Sequence, residues 1–401
     1  MLSLETFHQL QSAEGMAALS AAQALAPAEA TLLPSLAQLR KTFAPELAAA
    51  ALETVMLRQR ARSKFSRADA MFFTREALEQ ASGELVARHR AARYHGMAQP
   101  VYDVCCSIGG DALGLALAGL AVAGSDLDPL RVAMAEANAA AYGVEANVTF
   151  RLADARTFQA PAGAVLFFDP ARRRTSRTDT RRRVFHPDDY EPPLSLVERW
   201  LGHTAGFGVK VAPGIDYDAL PYACEVEIVS VAGEVKEACL WFDSLRRHVR
   251  TATVIDAQGH AHALHSVDVS PVAAMPPRRY LYEPDGAVIR AHLVEQLAQL
   301  LGAVKIDDMI AFLSSDIHSP TPFARAFEVH EVLPFNLKRL RSRLRELDIG
   351  RVVIKKRGSP IDPQVLERQL KLSPALPHAM TLVLTHVLEN PSVILCTPVA
   401  G

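Results

Sequence analysis

Three short stretches of this 401-residue chain place acidic residues beside tight turns, where they could hold a small ligand and act on a second one. The first covers residues 103–111 and contains Gly109 and Gly110. Glycines there let the backbone approach a ligand closely, and the turn amides can face a negative group. The second ends at Asp126, about 20 residues later, where a carboxylate can accept hydrogen bonds from ribose hydroxyls. The third ends at Asp169, which a proline follows, and we expect the reaction there.

The details of the first turn favour S-adenosylmethionine (SAM) over a nicotinamide. A dinucleotide site needs G-x-G-x-x-G to seat a pyrophosphate, whereas this turn has Ser107 in place of the first glycine. SAM has no pyrophosphate and carries an ammonium group, which a nearby carboxylate such as Asp103 suits. A strand-to-helix turn with two glycines also occurs without any cofactor, and that structural alternative stays open for the turn taken alone.

Strands and helices in a fixed order must position these residues. Apolar runs predict strands, and the Ala/Leu-rich segments between them predict helices. The predicted helices are 112–119 and 131–144, the latter closed by Gly143, and the predicted strands are 101–105, 120–126, 148–154, 165–168 and 206–213. This alternation predicts an open α/β sheet with parallel strands, and ligands bind such sheets at the carboxyl ends of the strands. Residues 224–242 resemble an antiparallel hairpin that closes such a sheet.

The composition describes an ordinary globular chain with a net charge of −1, 49% hydrophobic and 22% charged residues. Five cysteines, an odd number without metal spacing, indicate reduced thiols and a cytoplasmic protein. No signal peptide and no apolar run of about 18 residues is visible, so no membrane association is expected. The sequence HAHALH at 260–265 alternates like an exposed strand and lacks acidic or cysteine partners, so we expect no metal.

The chain divides into four predicted domains. The first (1–95) is Ala/Leu-rich with helical spacing, and its expected role is packing on the second (96–255), which is the α/β unit. The third (256–322) is a connecting region with prolines and a predicted helix at 288–301. The last (323–401) alternates strands and helices in a small α+β arrangement.

The motifs together resemble the class I SAM-dependent methyltransferases, and most closely a bacterial branch with a THUMP-like C-terminal domain that is related to the cap guanine-N2 methyltransferases. The resemblance covers most of the chain after about residue 60 and implies a Rossmann-like sheet, with a small ferredoxin-like insert before the last domain. It is carried by the stretches MFFTREALEQAS (71–82), DVCCSIGGD (103–111), SDLDP (125–129), FFDPARR (167–173), VKVAPGID (209–216) and KKRG (355–358).

The resemblance also implies which residues hold the cofactor. In this branch the lead-in to the fold lines the cofactor site, and the acid after the third strand reaches the adenine amino group. For that acid, Asp154, a helix cap is an equally good interpretation. The expected cofactor residues are Phe73, Thr74, Asp103, Ser107, Gly109, Gly110, Asp126, Leu127 and Asp154.

The turn after Phe168 departs from the pattern of related enzymes. Those that methylate an exocyclic base amine often carry Asp/Asn-Pro-Pro-aromatic, whose side chain and first proline carbonyl accept the amine hydrogens. This chain keeps Asp169 and Pro170 but continues with Ala171 and Arg172. We expect Asp169, Pro170 and Arg172 to be catalytic, with Arg172, Phe185 or Tyr190 replacing the stacking aromatic. The alternative is a simple turn at a strand end.

Positive charge is concentrated in two segments although the total is near zero. Residues 171–183 hold seven arginines and one acid, and residues 335–371 hold eleven lysines and arginines against four acids. Both could contact phosphates, and arginine also stacks on bases, which favours RNA. The alternative for the second segment is a solvated face. The expected substrate contacts are Arg173, Arg174, Lys210, Lys355, Lys356 and Arg357.

These observations predict a SAM-dependent methyltransferase that acts on a nucleobase nitrogen in structured RNA, with the C-terminal domain helping to bind the RNA. One alternative is a non-catalytic RNA-binding protein that kept the SAM fold, which the altered turn after Asp169 suggests. Another is a methyltransferase for a substrate other than RNA. The carboxylates Asp103, Asp126 and Asp154 argue against the non-catalytic alternative.

Overall fold

A computed structural model describes residues 2–98, 100–172, 190–217 and 219–399. Their contacts group into two compact units. The first comprises Met1–Val226 and Lys236–Arg247, and the second comprises Glu227–Val235 and His248–Gly401. The four-domain division with its exact bounds stays a prediction.

The first unit begins with helices that pack on the α/β layer, as expected. They are α1 (Leu4–Gln11), α2 (Ala13–Ala24), α3 (Leu32–Leu39), α4 (Pro45–Ala61), α5 (Arg75–Gln80) and α6 (Glu84–Ala91). Phe7 of α1 meets Phe72 edge to face, with ring centroids 5.1 Å apart. The buried Asn138 amide donates to the carbonyl oxygens of Phe72 (3.1 Å) and Ile108 (3.0 Å). One apolar core therefore joins these helices to the sheet layer.

The α/β layer follows in the predicted order. Its elements are β1 (Val101–Val104), α7 (Gly110–Leu117), β2 (Val122–Asp126), α8 (Pro129–Tyr142), β3 (Val148–Leu152), β4 (Val165–Phe168), the two-stranded ribbon β5 (Ala171–Arg172) and β6 (Tyr190–Glu191), and β7 (Gly206–Val211). The first four long strands and β7 are parallel in the order β3-β2-β1-β4-β7. The predicted parallel sheet is confirmed.

The hairpin of β8 (Glu225–Val231) and β9 (Glu234–Asp243) contributes residues to both units. In the first unit β9 pairs antiparallel with β7, from Gly206 opposite Asp243 to Val211 opposite Ala238. This confirms the predicted antiparallel hairpin after the parallel strands.

Local signals set the helix α8 that follows β2. Asp128 caps its start by accepting a hydrogen bond from the Leu130 N–H (2.9 Å), and Pro129 occupies the first helical position. Gly143 ends it in the left-handed conformation (φ 68°), which glycine adopts without a Cβ clash. The predicted helix is confirmed and begins two residues earlier than expected.

The second unit contains two groups of strands. The segment of β8 in this unit neighbours β10 (Arg250–Ile255), which pairs antiparallel with β11 (Ala261–His265), a strand within the predicted exposed strand at 260–265. A seven-stranded sheet follows in the order β13-β14-β12-β15-β18-β17-β16. Its strands are β12 (Tyr280–Pro284), β13 (Val304–Asp307), β14 (Ile310–Ser315), β15 (Ala324–Pro334), β16 (Ile349–Lys356), β17 (His378–Val387) and β18 (Asn390–Pro398).

The helices of the second unit are α9 (Gly286–Arg290), α10 (Val294–Leu301), α11 (Leu337–Glu346) and α12 (Pro363–Leu370). The single helix expected at 288–301 is therefore wrong, since the chain forms α9 and α10 with His292 between them at a φ of 56°. Leu340 and Leu344 of α11 and Leu366 and Leu370 of α12 are buried in one core cluster with sheet residues. None of the helices in the described part of the chain combines the length and apolar character that a membrane crossing needs.

Candidate active site

A cavity of about 1400 Å³ opens in the first unit at the carboxyl ends of the parallel strands. The turns after β1, β2, β4 and β7 line it, together with the loop after β3 and the end of α5. This is the edge at which open α/β sheets bind ligands. Predicted site residues in its wall are Ser107, Gly110, Asp126, Leu127, Asp154, Asp169, Pro170 and Lys210.

The turn after β1 holds two residues other than glycine in a backbone conformation that glycine usually adopts. Cys105 (φ 65°) and Ser107 (φ 50°) adopt the left-handed conformation, as does Gly109 (φ 84°), which precedes α7. Ser107 thus takes the conformation that glycine usually supplies, at a cost of about 1–2 kcal/mol. Its hydroxyl is buried without a hydrogen bond in the described structure and lies in the cavity wall, so it can serve a ligand.

Asp126 joins the first two strand ends. Its Oδ2 accepts the Ser107 N–H and its Oδ1 accepts the Asp128 N–H, both at 2.9 Å. The carboxylate is nearly buried yet lines the cavity, and each oxygen keeps a second lone pair. Asp126 is therefore fixed in one orientation with acceptor capacity left for ligand hydroxyls. The next residue, Leu127, presents an exposed apolar side chain to the same cavity.

Asp103 is fully buried and does not itself line the cavity. Both of its carboxylate oxygens are buried. Burial above all, and then the charge of Asp169, raise the pKa of Asp103 from 3.8 to about 7, although Arg90 and Lys210 oppose this. A cationic ligand in the cavity would favour its charged form.

Asp154 belongs to a turn rather than to a helix. Its Oδ1 accepts the Arg156 N–H (2.8 Å), and the Arg156 guanidinium lies 3.3 Å from Oδ2. No helix begins here, so the helix-cap interpretation is wrong. The side chain lines the cavity and is about one third exposed, which keeps it available to a ligand.

Phe73 and Thr74 are not in the cavity wall. The Phe73 ring is buried against Phe65, and the Thr74 hydroxyl caps α5 by accepting the Ala77 N–H (3.1 Å). This corrects the expectation that their side chains line the cofactor site. The helix that they introduce contributes instead, since Glu76, Glu79 and Gln80 lie in the wall.

Asp169 and Lys210 form an ion pair at the ends of β4 and β7. The Lys210 ammonium donates to Asp169 Oδ2 (2.7 Å) and to the Gln80 carbonyl oxygen (2.8 Å). Both side chains line the cavity and are mostly buried, at 20% and 13% exposure. Lys210 was expected to meet a phosphate or the substrate, and the structure first engages it with Asp169.

A second lysine, Lys64, holds the end of α5, whose Gln80 carbonyl oxygen binds Lys210. The Lys64 ammonium donates to three carbonyl oxygens at the end of α5, those of Leu78, Glu79 and Ala81, over 2.7–3.2 Å. Burial lowers the pKa of Lys64, and the charges of Lys210 and Lys236 lower it further. The end of α5 is therefore held beside the cavity by two partly buried lysines.

A mostly buried polar cluster, two of whose carboxylates belong to the cavity wall, was missed at the level of sequence. The Arg90 guanidinium contacts Asp111 and Glu237 and lies 4.3 Å above the Phe167 ring. Ser82 Oγ is within hydrogen-bond distance of both carboxylates. Arg90 sits in an arginine-rich helix where nothing local distinguishes it from its exposed neighbours, so only its burial identifies it.

Several expected residues fall outside the described part of the chain. These are Arg173, Arg174 and Phe185. The backbone of Arg172 is described and pairs with Tyr190 between β5 and β6. The Tyr190 ring is 2% exposed and its hydroxyl accepts the Ala212 N–H (2.9 Å), so it is a poor stacking platform for a base.

In the second unit, the end of β16 and the residue after it do not bring the predicted contacts Lys355, Lys356 and Arg357 together. Lys355 pairs with Glu283 (2.6 Å), and Arg357 Nη1 donates to the Ala311 carbonyl oxygen (3.3 Å). Burial lowers the pKa of Arg357. Lys356 follows the alternation of the strand to the other face and is exposed.

The parallel strands run in the order β3-β2-β1-β4-β7, the antiparallel β9 follows, and acidic residues stand at the carboxyl ends of the strands. This arrangement defines a Rossmann-like class I methyltransferase. Comparisons with known proteins agree. Residues 98–185 match the RNA cap guanine-N2 methyltransferase family, residues 324–398 match the THUMP domain-like family, and residues 3–61 match a domain of unknown function, DUF8688.

Two relatives come from Mycobacterium tuberculosis strains CDC 1551 / Oshkosh and ATCC 25618 / H37Rv. Both are named as uncharacterized S-adenosylmethionine-dependent methyltransferases. Each is 37% identical over 363 residues, which cover 86% of this chain and 96% of the relative. The chain therefore belongs to this family of bacterial SAM-dependent methyltransferases.

A solved structure has the same fold. It is a Porphyromonas gingivalis W83 protein assigned as a methyltransferase, with a TM-score of 0.69 and 20% sequence identity. The match covers 93% of this chain and 99% of the other.

The cavity suits SAM by its own donor set. The unsatisfied Ser107 hydroxyl, the fixed Asp126 carboxylate and the apolar Leu127 match a cofactor with hydroxyls and an apolar ring face. Asp103 is fully buried and is not part of the cavity lining, so the fit rests on the other residues. When bound, SAM supplies a methyl group on a positively charged sulfur.

Proposed function

We propose that the protein transfers a methyl group from SAM to a nucleobase nitrogen in RNA, with the C-terminal domain helping to bind the RNA. The observation that carries the proposal is the Asp169–Lys210 pair in the wall of the cofactor cavity. A carboxylate at this strand end, followed by Pro170, can accept hydrogen bonds from an amine and orient its lone pair. The five free cysteines are in keeping with a cytoplasmic location.

The chemistry asked of the protein is mostly positioning. The nitrogen lone pair forms the new N–C bond while the C–S bond breaks and its electron pair stays on sulfur. The nitrogen then loses one proton to Asp169 or to water. Asp169 and Pro170 would orient the nitrogen, and the turn from Cys105 to Gly110 with Asp126 would hold the donor. Such positioning accounts for a large share of the rate of many enzymes.

Two further features support RNA as the substrate. The family matches of this chain include an RNA cap guanine-N2 methyltransferase domain and a THUMP domain-like domain. In addition, α11 exposes Lys338, Arg339 and Arg345 on one element. Exposed cations can neutralise phosphates.

The test is to incubate the full-length protein with bulk bacterial RNA and methyl-labelled SAM, and to digest the RNA and identify the labelled nucleoside. We expect an N-methylated base. Asp169→Ala should lower transfer about 100-fold or more while SAM binding stays within about threefold. Full transfer by Asp169→Ala would contradict the proposal.

A protein that binds SAM but labels no RNA would favour one of the two alternatives. RNA binding measured in the same preparation separates them. A complex with RNA but no transfer indicates a non-catalytic binding protein, whereas neither binding nor transfer indicates a different substrate.

A further inference from the structure

Lys210 and Asp169 leave one donor and one acceptor unused. A lysine ammonium has three N–H donors, and two of them serve Asp169 Oδ2 and the Gln80 carbonyl oxygen. Asp169 Oδ1 and the remaining Lys210 N–H have no partner among the described residues. Because both side chains line the cavity, this donor and this acceptor are available side by side to a substrate.

We propose that Lys210 determines substrate specificity by donating to the ring nitrogen beside the amine that is methylated, while Asp169 Oδ1 accepts one amine hydrogen. This inference rests on the proposed function and narrows it to the exocyclic amine of an adenine, cytosine or guanine. In each of these bases an amino group stands next to a ring nitrogen with a lone pair. The Lys210 N–H and Asp169 Oδ1 are a donor and an acceptor that complement the ring nitrogen and the amine of such a base.

The state of the carboxylate favours an amine over a ring N–H of uracil or guanine. Such a ring nitrogen must lose its proton before it can attack, and this needs a strong base. A carboxylate such as that of Asp169 is a weak base. The exocyclic amine instead forms its N–C bond first, as the C–S bond breaks with its pair on sulfur. The amine then gives its proton to Asp169 Oδ1, which passes it to water.

The location of the pair explains why Lys210 stays in place without substrate. Its ammonium is held between two strand ends and the end of α5, and it is 13% exposed. Few rotamers are available to a side chain so confined, so little entropy is lost when it binds a base. Lys210 is thus preorganised for recognition.

The experiment compares Lys210→Met, Lys210→Arg and the wild type. With bulk bacterial RNA and labelled SAM, Lys210→Met should lower kcat/KM for RNA about 10- to 100-fold, while the Kd for SAM changes less than about threefold. Lys210→Arg, which keeps a charged donor, should retain more activity. Lys41→Met, which changes an exposed lysine of the N-terminal helical region, is the matched control and should behave as wild type.

A modified substrate isolates the proposed contact. Once the labelled base is identified, a short RNA is made in which the ring nitrogen beside the amine is replaced by C–H. The wild type should methylate this RNA about 10- to 100-fold more slowly than the parent RNA, and Lys210→Met should treat the two RNAs alike. An equal penalty in both enzymes would overturn the role of Lys210. If Lys210→Met fails to bind SAM, the two RNAs are compared using Lys210→Arg instead. The ratio of its rates on the two RNAs should then differ from the ratio for the wild type.

The outcome also separates this inference from the proposed function. Methyl transfer to a ring nitrogen of uracil would overturn the inference and leave the proposed function standing, whereas transfer to a ribose would overturn both. Transfer to no RNA at all would overturn both.

Discussion

The backbone N–H of Ser107 donates to Asp126 Oδ2 over 2.9 Å, and this bond joins the turn after β1 to the end of β2. The same carboxylate also holds the start of the next turn through Asp128. The cofactor turn and the expected ribose contact are therefore one hydrogen-bonded unit rather than two independent features.

Asp126→Asn should weaken both SAM binding and the fold. An amide can accept only one of the two N–H groups and points its NH2 at the other. We expect at least about tenfold weaker SAM binding and a loss of about 1–3 kcal/mol in the free energy of unfolding. Calorimetry and denaturation measure the two effects. Asp69→Asn, an exposed change in the same unit, should alter neither. Equal SAM affinity for Asp126→Asn and the wild type would refute this role.

Asp103 should make the stability of the free protein depend on pH. Its pKa rises from 3.8 to about 7 on folding, mainly through burial. Between these values the folded state holds a proton that the unfolded state has released, so the free energy of unfolding falls as pH rises. The full penalty, on the order of 4 kcal/mol, is present above pH 7.

Asp103→Asn should remove this pH dependence. Between pH 5 and pH 8 the loss of unfolding free energy with rising pH should be smaller in the variant than in the wild type. Denaturation followed by the fluorescence of Trp200 and Trp241, both in the first unit, measures it. Parallel pH profiles for the variant and the wild type would show that Asp103 does not titrate in this range.

Arg90→Met should strongly destabilise the first unit. It would leave Asp111 and Glu237 buried without their cation, and removing one partner of a buried ion pair costs about 3–5 kcal/mol. The same fluorescence assay measures it. Arg88→Met, at an exposed position of the same helix, should change stability by less than about 0.5 kcal/mol. Similar stability for the two variants would contradict the structural role of Arg90.

Replacing Lys338, Arg339 and Arg345 of α11 together by glutamine should weaken RNA binding and its salt dependence. Each phosphate contact contributes about 0.7–0.9 to the slope of log K against log salt, so the slope should fall by about 2. Binding to bulk RNA at several salt concentrations measures it. Arg343→Gln is the control on the same helix, since Arg343 already pairs with Glu331 and Glu346. An unchanged slope in the triple variant would identify this face as merely solvated.

Much of the fold could be predicted because its signals are local. The alternation of strands and helices and the end of α8 at Gly143 follow from neighbouring residues. Strand-end acids such as Asp126 and Asp169 follow too, because parallel topology brings those ends to one edge. The break between α9 and α10 was missed because the apolar pattern continues through His292 and hides the backbone turn there.

The sequence by itself determined the order of the α/β elements, the SAM-type turn and the acids around it, since each depends on residues close in the chain. Only the tertiary structure decided what those acids contact. Lys210 meets Asp169 across 41 residues, and Arg90 meets Glu237 across 147. It also placed Asp103 behind the cavity wall and Phe73 in the core. Side-chain pairing and burial depend on strand register and on packing between distant segments, which no local pattern records.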